Sequence, residues 1–453
     1  MTAAAGQSAM TGLTQAERAA VAALDEEGLV AFLRELVAIP SLDGEETEAQ
    51  RRVAAWMRGE GFGVDEWDID LGQVTAHPDF SWEVERDAAV GVVGWVGRDE
   101  KRAGGRDLLF DGHIDVVPAG EPSSWAVDPW HGALRDGRVY GRGACDMKAG
   151  LCAALYAAKA LRDARVPLLG RVLVASVVGE EDGGLGTLAT LLRGHTADAA
   201  IVTEPTGLRV VTAGAGSLMF RLTVQGRAAH GSVRAEGVSA VEKFVPLFAA
   251  IRELEATRNA AGGGELYSSH RLPWPIEVGT LRAGEWASSV PERLVCEGRY
   301  GYAPGEAEAA TKREFEEAIA RAAAADPWLC DHPPLVEWWG GRFAPAVTDA
   351  GDPLVTALAG ATGAVLGEKA PLEGVTYGSD MRLFINVGRT PCVLFGPGDV
   401  RECHMPDESV SADETVRAAR TLIVTAMRYC GVEDGSGASR FAQPRGDSGE
   451  TES

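Results

Sequence analysis

The sequence predicts an α/β protein: a mostly parallel sheet with helices over both faces, into which a split-βαβ (ferredoxin-like) unit is inserted. Short apolar runs, of which residues 172–178 are the purest, read as strands buried on both faces. Helix-length segments separate those runs, as connections between parallel strands require. Past Pro205-Thr206-Gly207 the order becomes βαββαβ and then returns to a helix and an apolar strand, which marks the insertion. The expected division is a discontinuous unit of residues 1–212 and 342–431, an inserted unit of residues 213–341, and a disordered polar tail at residues 432–453.

Along the chain, residues 14–38 repeat leucine, valine and phenylalanine at helical intervals, and Thr14 with Glu17 fits a capping box. A loop from Pro40 to Gly44 leads to a second amphipathic helix at residues 46–59, then strands at 64–67, 90–95 and 107–110. Residues 147–162 are an Ala-rich helical stretch, followed by the strand 172–178, a helix at 187–193 and a strand at 199–202. The inserted unit holds strands at 218–225, 277–281, 293–300 and 335–338, with helices at 238–255 and 306–324. A helix at 352–363 and a strand at 391–395 bring the chain back to the first unit.

The 453 residues are 45% hydrophobic and 24% charged, an ordinary globular mixture long enough for two cores. A formal net charge of -23 argues against a nucleic-acid surface, which must neutralise phosphates with Lys and Arg, and gives no support for binding anionic membranes. The 7 cysteines form no CxxC pair and no disulfide framework, so a reducing compartment suits them. The first residues lack the basic start and apolar stretch of a secretory signal. No window reaches the roughly 18 consecutive apolar residues of a membrane span. A cytoplasmic protein is expected.

Chemistry-bearing residues stand just after predicted strands. His113 and Asp115 follow the strand that ends in Leu108-Leu109-Phe110, two apart, so both can point the same way if the backbone stays extended. Asp146 lies between the glycines of Gly141-Arg142-Gly143 and the Ala-rich helix, a position that equally suits a helix N-cap. Glu180, Glu181 and Asp182 follow the strand 172–178; a solvated turn accounts for three adjacent acids, and so does a concave site that holds cations. Glu204 closes the strand 199–202, and His404 lies in a loop beyond Gly396-Pro397-Gly398. Sites in open α/β sheets form at the carboxyl ends of strands. Together these residues suit two zinc-like ions that share one bridging carboxylate.

From about Leu29 to Tyr429 the chain resembles the two-zinc aminoacylase and carboxypeptidase family, which includes acetylornithine deacetylase and succinyl-diaminopimelate desuccinylase. Five motifs carry the resemblance in the family's order: His113-Ile114-Asp115, Gly141 to Lys148, Glu180-Glu181, Glu204-Pro205-Thr206, and His404 to Glu408. The resemblance implies a zinc-hydrolase catalytic domain with the inserted unit as its lid. It implies that Asp146 bridges two divalent ions, with His113 and Glu204 completing one site and Glu181 and His404 the other. Zinc is expected, and cobalt or manganese would fit the same ligands. Asp115 would orient His113, and Glu180 would be the base that takes a proton from the attacking water.

In the lid, Gly226 to Gly231 resembles the family's histidine loop, so His230 would stabilise the oxyanion, often from the partner subunit. Arg299 resembles a lid arginine that recognises a substrate carboxylate, and Arg382 lies near where some members bind the substrate acid. Ser288 stands where many relatives have a substrate-shaping asparagine. The implied activity is removal of an N-acyl group from a small amino acid or amino-acid-like amine, by a homodimer that pairs through its lids. Rotation at crossings near residues 207–214 and 340–349 would close the lid. A dipeptidase or C-terminal exopeptidase uses the same metals and is the alternative. A non-enzymatic binding protein on this fold is disfavoured because neither a ligand nor the base is missing.

Overall fold

The computed structural model describes residues 12–98, 101–368 and 370–433. The first half carries strands β1 (Gly63–Asp68), β2 (Val90–Gly97), β3 (Leu108–His113), β4 (Ala133–Arg135), β5 (Arg138–Tyr140), β6 (Arg171–Val177) and β7 (Ala199–Val202). There follow β8 (Val210–Gly214), β9 (Gly216–Gln225), β10 (Ile276–Ala283), β11 (Arg293–Tyr302) and β12 (Leu335–Phe343). The last are β13 (Ala346–Val347), β14 (Leu372–Val375), β15 (Cys392–Leu394) and β16 (Ser409–Ser411). The 9-stranded sheet runs β1-β2-β6-β3-β7-β15-β8-β13, with β14 also paired to β8. β6, β3, β7 and β15 are mutually parallel at its centre, and the antiparallel strands lie toward the edges.

Apolar residues on both sides of each central strand account for this arrangement. In β3, Leu108 and Phe110 join the helices Thr47–Gly59, Ala149–Asp163 and Ala412–Cys430 in one core. Leu109 faces the other way and meets Leu173, Val202, Met381 and Phe384. Parallel pairing puts the carboxyl ends of β3, β6, β7 and β15 on one edge of the sheet. His113, the pair Glu180-Glu181, Glu204 and the loop to His404 therefore emerge on the same side.

The inserted unit has the expected βαββαβ order and a 4-stranded antiparallel sheet, β10-β11-β9-β12. Phe220 and Leu222 of this sheet pack with Leu247 of the helix Ala240–Asn259 and Phe315 of the helix Glu308–Ala324 in a core of its own. β9 starts at Gly216 and β12 ends at Phe343, so the lid sheet lies a few residues C-terminal of the expected bounds at both ends.

Several expectations change. The helix read over residues 14–38 is two, Gln15–Ala22 and Glu26–Val37, because the Asp25 side chain accepts the Gly28 N–H at 2.9 Å and caps a new start. The Thr14–Glu17 capping box is present. Residues 207–214, read as a crossing, are mostly strand β8, tied to β14 and to the Thr348 N–H at Thr212 O. The outward crossing narrows to Ala215, and the return crossing lies between Phe343 and Ala346. Val432 and Glu433, assigned to the tail, pack on Leu168 and Pro167, and Glu433 pairs with Arg98 at 2.9 Å. The rest of the predicted tail, from 434 onward, lies outside the described residues. No helix among the described residues is long and apolar enough to cross a membrane.

Gly150 shows how closely the site-bearing helix is seated. A Cβ added there would lie 1.8 Å from Thr203 O, the carbonyl just before Glu204. Gly150→Ala is therefore expected to lower the unfolding free energy by about 3 kcal/mol. The change would appear as a lower urea midpoint at unchanged slope; an unchanged midpoint would refute the close-approach argument.

Candidate metal centre

Asp146 sits in a turn whose backbone breaks from helical geometry at Asp146 and Met147, before the regular helix Ala149–Asp163. Its side chain makes no capping bond, so the N-cap alternative falls. The two carboxylate oxygens diverge: Oδ1 lies 3.2 Å from His113 Nε2, and Oδ2 lies 3.3 Å from His404 Nε2. His404 Nε2 also meets Glu181 Oε1 at 3.0 Å. Ligand-type atoms of His113, Asp146 and Glu204 lie within 4.8 Å of one another, and so do those of Asp146, Glu181 and His404. The five residues thus form two clusters that share Asp146. One oxygen of buried Glu180 has no hydrogen-bond partner.

Asp115 ties two of the ligand-bearing segments together. Its backbone carbonyl meets His113 Nδ1 at 3.0 Å, while its carboxylate Oδ1 stands farther off at 3.8 Å. The other carboxylate oxygen accepts the Glu181 N–H at 3.0 Å. The carbonyl of Asp115, more than its carboxylate, therefore fixes the His113 ring.

So many buried acids distort one another's titration. Burial, and then Glu204 and Asp380, push Glu180 well above the usual carboxylate range; burial and Asp146 do the same to Glu204. For His113, burial opposes protonation, but Asp115 and Asp146 outweigh it and raise the ring well above its ordinary value. For His404 the same opposition of burial is overcome by hydrogen bonds to Asp146 and Glu181, and the ring is pushed up to about 11. Asp146 is held below the usual carboxylate range: burial works against this, and hydrogen bonds from both histidines prevail. Imidazole nitrogens beside crowded carboxylates, together with the orphaned Glu180 oxygen, are a donor set that fits a pair of divalent cations.

The sequence motifs did not reveal the residues that brace this cluster. Glu408 Oε1 accepts the N–H groups of Cys145 at 2.9 Å and Asp146 at 3.1 Å, while Oε2 pairs with Arg142 at 2.5 Å. Lys148, fully buried, donates to Leu36 O at 2.9 Å and Ile39 O at 3.0 Å at the end of the helix Glu26–Val37; burial lowers its pKa to about 7. Arg86 joins Glu46 and Asp182, each at 2.9 Å, and so anchors the turn that carries Glu180 and Glu181. Arg142, Lys148 and Glu408 lie inside quoted motifs, but their partners are distant in sequence. Arg86 carried no signal at all.

The lid residues His230, Ser288 and Arg299, and Arg382 of the main unit, belong to neither cluster. His230 is exposed, with Nδ1 2.7 Å from Ser232 Oγ. Ser288, also exposed, accepts the Gly231 N–H through its carbonyl at 2.6 Å, and both line a groove of about 640 Å³ on the lid. Arg299 is half-buried and donates to Thr376 O at 3.0 Å, on the loop after β14. Arg382 is buried, donates to Gly183 O at 2.5 Å and lies over the Phe343 ring, 5.1 Å from its centroid. Of the two arginines expected to read a carboxylate, only Arg299 has an exposed portion.

Residues 109–428, which contain every member of both clusters, match the family model for peptidase family M20/M25/M40. The chain belongs to that family. It is 28% identical over 425 residues to N-formyl-4-amino-5-aminomethyl-2-methylpyrimidine deformylase of Bacillus subtilis, covering 89% of this chain and 95% of the relative. Acetylornithine deacetylase of Edwardsiella ictaluri is 27% identical over 417 residues, covering 88% and 97%. The fold is shared with human carnosine dipeptidase 1, at a TM-score of 0.73 and 15% identity over 92% of this chain and 99% of that one.

Protons and divalent cations compete for the same lone pair on His404. Because the His404 ring is pushed up to about 11, it carries a proton near neutral pH and must lose it to bind a cation. Zinc added to metal-stripped protein is therefore expected to release protons, with an apparent affinity that rises with pH. Calorimetry in buffers of differing ionisation enthalpy measures the release; a heat independent of buffer would contradict it.

Proposed function

We propose that this metal-dependent amide hydrolase removes an N-acyl group from an amino acid or amino-acid-like amine. The observation that carries the reading is Asp146, one oxygen turned toward each of two histidines, with an unpartnered oxygen of buried Glu180 alongside. In this reading His113, Asp146 and Glu204 hold one divalent ion, and Asp146, Glu181 and His404 the other; zinc is the expected metal, with cobalt or manganese as substitutes. Such ions, when bound, polarise the scissile carbonyl and lower the pKa of an attacking water.

The chain's own residues do the rest. Glu180 accepts the proton of the attacking water and returns it to the leaving amine, and its raised proton affinity suits both halves of that task. Asp115 holds the His113 ring and the Glu181 backbone in register. His230 donates to the developing oxyanion once the lid closes, and Ser288 borders that histidine's loop. Arg299 reads a substrate carboxylate with its planar fork, and Arg382 steadies the Gly183 carbonyl beneath it. The relatives that match along most of both chains are named as a deformylase and a deacetylase, which supports an acyl group on nitrogen as the target. A cytoplasmic location fits 7 cysteines that are all free.

A homodimer through the lid accompanies this reading. Val241, Val245 and Phe248 expose a helical stripe on Ala240–Asn259. The edge strand β10 presents Leu281, and Trp286 beyond it is 74% exposed.

Glu180→Gln is expected to reduce turnover by about 10²- to 10⁴-fold while metal content stays intact. The assay should offer N-formyl and N-acetyl amino acids beside dipeptides, with the free amine as readout. Turnover near the parent's would remove Glu180 from its role, and preference for the dipeptides would replace the deacylase with a peptidase. For the dimer, Glu180→Gln chains mixed with His230→Ala chains are expected to regain activity, because one site of each heterodimer combines an intact Glu180 with an intact His230. No recovery in proven heterodimers would place His230 in cis or outside the reaction.

A further inference from the structure

Cys145 and Cys403 each stand immediately before a cluster residue, Asp146 and His404, and their sulfurs lie 3.6 Å apart. Both thiols turn toward one carbonyl, Asp399 O, at 3.5 Å and 3.7 Å. The space for the Cys145 thiol exists because residue 398 is glycine; a Cβ there would lie 2.5 Å from the sulfur. Cys403 is half-buried and offers a way in, whereas Cys145 is buried. Among the described residues no other pair of cysteine sulfurs is in such contact.

Any pull between these sulfurs passes directly into the metal centre. Glu408 Oε1 holds the N–H groups of both Cys145 and Asp146, so the two residues move as one piece. On the other side, Cys403 caps the short turn Val400–Glu402, and His404 follows with a positive φ of 60°. A disulfide needs about 2.05 Å between sulfurs, so bond formation must draw the two segments together by about 1.5 Å.

We propose that Cys145 and Cys403 are a reversible dithiol–disulfide site whose oxidation displaces Asp146 and His404 and switches the enzyme down. The proposal rests on the reading that those two residues hold the metals. Hydrogen peroxide is small enough to reach Cys403 and is the oxidant of choice. Its O–O bond breaks as the Cys403 sulfur takes one OH to become a sulfenic acid, and the thiol hydrogen leaves with the other OH as water. The Cys145 sulfur then displaces that hydroxyl, forming the S–S bond and releasing a second water. The thiols have lost two electrons and the peroxide has gained them. A dithiol reductant reverses the change.

The test uses metal-loaded, reduced full-length protein in a Cys330→Ser background, which removes the exposed thiol. After peroxide treatment, non-reducing peptide mapping is expected to join the Cys145 and Cys403 peptides. Activity should fall by about 10- to 100-fold, bound metal should become accessible to a chelating dye, and dithiothreitol should restore both. Cys403→Ala and Cys403→Ser proteins should keep their activity through the same treatment. The proposal is overturned if no Cys145–Cys403 cross-link forms, if the cross-linked enzyme is fully active, or if the Cys403 variants are inactivated equally. Chelator treatment of the reduced enzyme keeps the two readings separate. Activity that survives complete stripping would defeat the metal reading, while the mapped cross-link still decides the thiol pair.

Discussion

Repulsion among the crowded carboxylates of buried Asp115, Glu180 and Glu204 and half-buried Asp146 and Glu181 is the constraint to which the surrounding structure answers. Taken into a low-dielectric interior, such a group of charges would drive its segments apart unless opposite charge met it. The protein answers with cations placed one layer out. Arg86 grips Asp182 beside the turn of Glu180 and Glu181, Arg142 grips Glu408 behind Asp146, and Arg382 lies under Gly183. None of these reaches the centre, where the two histidines face carboxylates directly. The innermost charge is left for groups that can be exchanged, protons or divalent ions.

The site was legible in the sequence because its members are local events. His113 ends an apolar strand, and Glu181 and Glu204 follow others, whose burial the composition announces, so parallel pairing of β3, β6 and β7 suffices to bring them together. Asp146 was ambiguous between cap and ligand, and the non-helical backbone at Asp146 and Met147 removes the cap. The bracing pairs were illegible for a different reason. Arg142 and Glu408 are 266 positions apart, and charge alone does not choose one partner among so many acids.

The fold divided along similar lines. The lid's alternating order was readable because each strand and helix is long enough to show its period. β8 was not, since its few residues stand between glycines and run almost directly into β9. The break at Ala23–Asp25 also escaped, because the apolar spacing carries on across it and only the Asp25 cap betrays the new helix. What β8 adds is structural: it ties the chain to the main sheet up to the last residue before the lid begins.

Insertion of the lid between β8 and β13 also sets a schedule for synthesis. His113, Asp146, Glu181 and Glu204 leave the ribosome well before the lid, but β15, His404, Glu408 and the helix Ala412–Cys430 leave after it. A nascent chain therefore carries a crowd of acids with neither its second histidine nor the Glu408 brace until the whole lid has been made. The contacts that complete the centre join residues 223 to 266 positions apart, which by loop-closure entropy makes them late in folding as well. A chain interrupted before His404 carries the cluster of His113, Asp146 and Glu204 but lacks the histidine of the second.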